Sequence, residues 1–159
     1  DRRIAELGPA LQGAGLWVHV ALAVLGNAAF ALTFCTGIMY ILQERQLKSR
    51  HPGRIHFRLP SLELLDDIGL KSLLFGFPLL TLALITGAVW AGHTRGSFLN
   101  LYGREIWSIL SWLIYGGLLY ARLSAGWRGR KAAVLAIIGF CLVFGTLIGV
   151  SLFRSGCIL

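Results

Sequence analysis

Two imidazoles stand close to the ends of long apolar runs. His19 lies just inside an uncharged stretch from Leu16 to Leu42, and His93 directly follows a second one from Ser72 to Gly92. A neutral imidazole is a common axial ligand of haem iron. Two of them entering one helix bundle from the same side therefore make a candidate haem site, with His19 as the metal ligand and His93 beside it. Around them, Trp90 and Trp107 offer flat faces on which a porphyrin can lie, and Arg95 and Arg104 can pair with its propionates. Plainer readings stand next to these: half-polar rings are comfortable at a membrane interface, and an aromatic belt has the same composition with no ligand at all.

Other chemistry is poorly supplied. His51 and His56 sit among basic residues and read as solvated surface groups. Cys35 and Cys141 fall inside apolar runs, where a thiol behaves as a small hydrophobe. With Cys157 they make an odd count that lacks the paired spacing of a zinc site or a redox dithiol. No nucleophile stands by a positioned base and no glycine-rich loop is placed to cradle a phosphate, so a covalent enzyme mechanism is not expected.

These residues must be positioned by membrane helices. Of 159 residues 56% are hydrophobic and 14% charged, more apolar material than a small water-soluble domain can hide. The net charge of +8 does not indicate nucleic acid, because the basic residues are clustered between apolar runs instead of spread over one surface. Spans are expected at about 16–42, 72–92, 106–121 and 132–153, each long enough at roughly 1.5 Å per residue to cross, or nearly cross, the bilayer core. Trp107, Trp112, Tyr115 and Tyr120 are expected to anchor the short third span at the interfaces.

Basic residues accumulate on the cytoplasmic side of a membrane. The connections after the first and third spans hold ten of them, from Arg45 to Lys71 and from Arg122 to Lys131, against five elsewhere. The expected fold is therefore an all-α integral membrane protein: a four-transmembrane-helix bundle with both termini of the segment outside. Residues 1–15 form an outer N-terminal segment and 154–159 an outer tail. A short interfacial helix is expected in the inner loop, starting at Pro60-Ser61 with an apolar face of Leu62, Leu65 and Ile68. Small residues spaced by four mark close helix contacts: Ala29, Thr33 and Gly37; Ala83, Gly87 and Ala91; Gly145 and Gly149.

Several separate stretches agree in order with one family. Gln43-Glu44-Arg45, Arg58-Leu59-Pro60-Ser61-Leu62-Glu63, Gly76-Phe77-Pro78-Leu79-Leu80-Thr81, Glu105-Ile106-Trp107-Ser108, Trp112-Leu113-Ile114-Tyr115 and Gly126-Trp127-Arg128-Gly129-Arg130-Lys131 together resemble the cytochrome c assembly superfamily, nearest its HemX and CcsA-like branch. The resemblance covers nearly the whole chain. It implies a polytopic haem-handling protein with a tryptophan-rich outer stretch that ends in an aspartate and is flanked by histidines. His19 matches the first of those histidines. The second would fall near Ile158. Arg95, Leu99 and Leu101 stand where tryptophans are implied, Tyr102-Gly103-Arg104 where Asp-Pro-Lys is usual, and Tyr120 in place of a histidine.

The resulting expectation is a haem-handling or cytochrome c biogenesis-like protein of the bacterial inner membrane, non-enzymatic, whose haem site is degenerate. Spans upstream of this segment are expected, and its partners are the lipid bilayer with other membrane subunits or cytochrome maturation proteins. Two rivals remain: a non-catalytic accessory subunit of a larger membrane complex, and a b-type haem electron carrier using His19 and His93.

Overall fold

The chain is described by a computed structural model over residues 8–49, 60–95 and 104–156, with side chains over 13–49, 60–92, 106–145, 148–149 and 151–152. Every described element is an α-helix: α1 over Gly8–Lys48, α2 over Leu62–Arg95, α3 over Arg104–Leu123 and α4 over Arg130–Gly156. Each of the four apolar runs lies within one helix. Among the described residues, the stretches Gly13–Lys48, Leu62–Gly92 and Ile106–Leu123 are long and apolar enough to cross a membrane.

The expected short surface helix is not a separate element. Ser61 does cap a helix, its hydroxyl accepting the Leu64 amide at 3.3 Å and its carbonyl the Leu65 amide at 3.0 Å. That helix, however, is α2 itself, which runs unbroken through Ile68 and on past Pro78. The physical reason is packing: Leu65 is buried at 2% exposure and Gly69 is pressed against Thr36 of α1, so the first turns are drawn into the bundle.

α1 and α2 form an antiparallel pair joined by a ladder of close approaches. Cβ atoms added at Gly87, Gly26, Gly76 and Gly69 would meet His19 at 2.8 Å, the Leu80 amide at 3.3 Å, Ala29 at 2.9 Å and Thr36 at 3.0 Å respectively. Each step up one helix is thus matched by a step down the other. The stripes of small residues do here what close backbone approach in lipid requires. Gly37, from the first stripe, instead meets α4, where an added methyl would lie 3.1 Å from the Ala133 carbonyl oxygen. Gly145 and Gly149 depart from expectation, since among the described residues nothing lies within 4 Å of the place a Cβ would take.

α3 and α4 complete a ring of neighbours, α1–α2–α3–α4 and back to α1. Its centre is aromatic. Phe30 of α1 stacks on Tyr115 of α3 with ring centroids 3.5 Å apart and planes 4° from parallel. Phe34 stacks on Phe140 of α4 at 4.4 Å, and Phe77 on Trp112 at 5.5 Å. Tyr115 is therefore core at 2% exposure and not an interfacial anchor, whereas Tyr120, 70% exposed, has the outward position expected of one.

Candidate functional site

His19 is held by α2. Its Nδ1 lies 2.8 Å from the Ala83 carbonyl oxygen. A carbonyl can only accept, so Nδ1 carries the hydrogen and donates it. In a neutral ring this selects the Nδ1–H tautomer and leaves the lone pair on Nε2. Thr86 Oγ1 stands 3.4 Å from the same nitrogen and donates to the carbonyls of Leu82 at 2.8 Å and Ala83 at 3.1 Å. The ring rests on the bare backbone of Gly87, where a methyl would come within 2.8 Å of Cε1. An imidazole with one nitrogen tied to a backbone carbonyl and the other left basic is the arrangement that metal-ligating histidines adopt.

The other candidates are placed unequally. Trp90 lies three residues beyond Gly87 on α2 and is half-buried, so it belongs to the His19 end of the bundle. Trp107, also half-buried, is in the first turn of α3, at the end where α2 finishes. The backbone of His93 lies in the last turn of α2, about 9 Å farther along the axis than Gly87 at 1.5 Å per residue. The side chains of His93, Arg95 and Arg104 lie outside the described residues, as do Leu99, Leu101 and Tyr102. Among the described residues, no three His, Cys, Asp or Glu side chains converge to hold a metal ion by themselves. A haem iron needs no such cluster, since the porphyrin supplies four ligands and the protein one or two.

Sequence reasoning misses a second polar cluster, at the opposite end. Arg122, counted above with the basic connection after the third span, is buried with its side chain 5% exposed. Its Nη2 donates to Asp66 Oδ1 at 2.8 Å and to the Asp66 carbonyl at 3.0 Å. The Gly129 amide donates to the same Oδ1 at 3.2 Å. This ties α2, α3 and the α3–α4 turn to one carboxylate. Gly129 is required twice over: its φ is +68°, and a Cβ would come within 2.6 Å of the Tyr40 hydroxyl of α1. The adjoining cavity is about 10 Å³, room for one water-sized group and far too small for a porphyrin. The cluster is a clasp between helices. An ionisable residue near the end of an apolar helix is the signal that it would need a partner.

A third polar contact is interior. Trp112 donates its indole N–H to Thr81 Oγ1 at 3.0 Å, while that hydroxyl donates to the Phe77 carbonyl at 2.9 Å. Trp112 thus joins α3 to α2 beside Pro78 and is not an interfacial anchor.

Among the described residues, three helices long and apolar enough to cross a membrane define a multi-pass membrane protein. The chain belongs to the cytochrome c assembly protein family, whose profile matches residues 1–158. Among its relatives, it is 32% identical over 173 residues to the cytochrome c biogenesis protein CcsA of Synechococcus sp. (strain CC9902), covering 96% of this chain and 57% of that protein. It is 34% identical over 171 residues to CcsA of Prochlorococcus marinus (strain MIT 9301), covering 96% and 55%. The protein of the same name from Chlamydomonas reinhardtii is 30% identical over 155 residues, covering 98% and 43%. The chain therefore spans about half the length of the curated relatives it matches. No solved structure matches it.

Proposed function

We propose that this chain is part of a haem-handling membrane protein that acts in cytochrome c biogenesis, with haem as its cargo. The observation that carries the reading is the setting of His19, whose Nδ1–H is fixed on the Ala83 carbonyl so that Nε2 is left for iron. The names of the relatives support the same role. His19 would bind the iron, Trp90 and Trp107 would face the porphyrin, and Arg95 and Arg104 would meet the propionates. His93 would be a second candidate to hold the haem. The role is one of binding and handing on, with no bond made or broken by the protein.

In this reading all four helices cross the bacterial inner membrane. The His19 end and both termini of the segment are outside, and the basic connections after α1 and α3 are inside, in keeping with the distribution of Lys and Arg. Other cytochrome maturation proteins are its partners. Arg95, Leu99 and Leu101 at positions where the family resemblance implies tryptophans favour a reduced haem platform. The same substitutions favour the second reading, a membrane subunit that has kept the bundle and given up the cargo.

The test is the absorbance of the protein purified from cells supplied with haem. A Soret band is expected in the wild type, lost in His19→Gly and restored to that variant by added imidazole. Absence of the band from the wild type, even after haem titration, overturns the haem reading in favour of the subunit reading. An undiminished band in His19→Gly removes His19 as the ligand.

A further inference from the structure

The turn between α3 and α4 builds a groove that the haem reading does not use. Gly126, with φ +64°, lets the chain reverse after α3, and the Trp127 amide donates back to the Ala121 carbonyl at 3.1 Å. This returns the indole beside the first turn of α4, where Lys131 Nζ lies 5.8 Å from the ring centroid. Below the pair, Val134, Leu135 and Ile138 form the apolar wall of a groove of about 430 Å³ that opens to the outside of the bundle. Arg130 and Lys131, the first two residues of α4, line it as well.

The two cations are only partly engaged within the protein. Arg130 is 63% exposed, and its Nε is 3.9 Å from Glu44, whose carboxylate is held more closely by Lys48 at 2.8 Å. Among the described residues no carboxylate lies within ion-pair distance of Lys131. From Lys131 to Ile138 the helix descends about 10 Å. Positive charge at the top, an aromatic ring at the shoulder and an apolar wall beneath follow the order of a phospholipid from headgroup to acyl chain.

The geometry points to a binding site for an anionic glycerophospholipid, its phosphate between Arg130 and Lys131 and one acyl chain along Val134, Leu135 and Ile138 beside Trp127. Net charge decides the class. Two cations with little internal compensation favour a lipid carrying net negative charge over a zwitterionic one, whose own amine answers its phosphate. A basic pocket beside a membrane helix is the usual setting for such lipids.

The experiment places the full chain in nanodiscs of phosphatidylcholine containing increasing fractions of acyl-brominated phosphatidylglycerol or, separately, acyl-brominated phosphatidylcholine. Bromine quenches tryptophan at short range, and the difference between wild type and Trp127→Phe isolates the Trp127 signal. Phosphatidylglycerol is expected to reach half-maximal quenching at a mole fraction about fivefold or more lower, since each basic residue at an anionic surface is worth about that factor. The double substitution Arg130→Gln and Lys131→Gln should bring the two lipids level, and Lys131→Arg should keep the preference. Mass spectrometry of protein released from the same discs counts retained phosphatidylglycerol and gives the ratio without the Trp127 variant. Equal quenching by both lipids in the wild type, or a preference that survives the double substitution, overturns the site. Quenching by neither lipid would mean that protein fills the groove, and it overturns the site as well.

Discussion

The ring of His19 occupies the space that a side chain on residue 87 would fill, and Gly87 is what permits it to reach the Ala83 carbonyl at 2.8 Å. A methyl at this position would come within 2.8 Å of Cε1, and the neighbour that must yield is the ring itself. Gly87→Ala should therefore turn the imidazole away from its carbonyl while leaving α2 helical. Loss of such a supporting contact weakens a metal ligand by about 10-fold or more. Haem titration of the purified variant, read at the Soret band, checks this, with circular dichroism confirming unchanged helix.

The clasp at the other end makes a prediction about stability alone. Arg122→Met leaves the Asp66 carboxylate, 18% exposed, with the Gly129 amide but without its cation. Breaking a buried pair on one side costs about 3–5 kcal/mol, whereas replacing both partners by apolar groups costs much less. Arg122→Met should unfold at markedly lower denaturant in detergent micelles. The double variant Asp66→Leu with Arg122→Met should recover much of the difference, and a double that is worse than either single would refute the clasp.

Thr81 and Trp112 should behave as one unit. Thr81→Val removes the acceptor for the indole N–H at a cost of about 0.6 kcal/mol, the usual worth of a side-chain hydrogen bond between membrane helices. Trp112→Phe should cost a similar amount through the same bond. The two together should cost less than the sum, which a double-mutant cycle of unfolding free energies measures directly.

Gly37 and Gly145 are both helical glycines among apolar residues, yet they should respond oppositely to alanine. A Cβ on Gly37 would lie 3.1 Å from the Ala133 carbonyl oxygen of α4, a backbone atom that cannot swing aside. Gly37→Ala should destabilise by about 1–3 kcal/mol through overpacking. Among the described residues Gly145 has open space, so Gly145→Ala should gain up to about 1 kcal/mol of helix propensity. Thermal unfolding of the two variants beside the wild type decides it.

The helices are legible in the sequence because an uninterrupted apolar run has few alternatives in lipid. The cap at Ser61 and the stripes of Ala29 with Thr33 and of Ala83 with Gly87 follow from local rules, and each is found at a helix or a helix contact. What escapes such rules is pairing across the bundle. Nothing adjacent to Arg122 in sequence names Asp66 as its partner, 56 positions away, and an arginine ending an apolar run looks the same whether it snorkels or is buried. Tyr115 reads as an anchor for a similar reason: an aromatic ring carries no mark of the face it presents until Phe30 is placed against it. Gly145 and Gly149 match a contact pattern without making one among the described residues, because spacing tells which residues share a face and not what that face meets.

The matched steps of α1 and α2 tie the two ends of the molecule to a single rotational phase. One residue inserted into α1 between His19 and Thr36 would turn everything on one side of it by about 100° relative to the other. The imidazole could then stay over Gly87, or Thr36 over Gly69, but not both. Insertions should be tolerated only in stretches beyond these contacts, and the hairpin acts as a gauge that sets the position of the histidine from the other end of the helix pair.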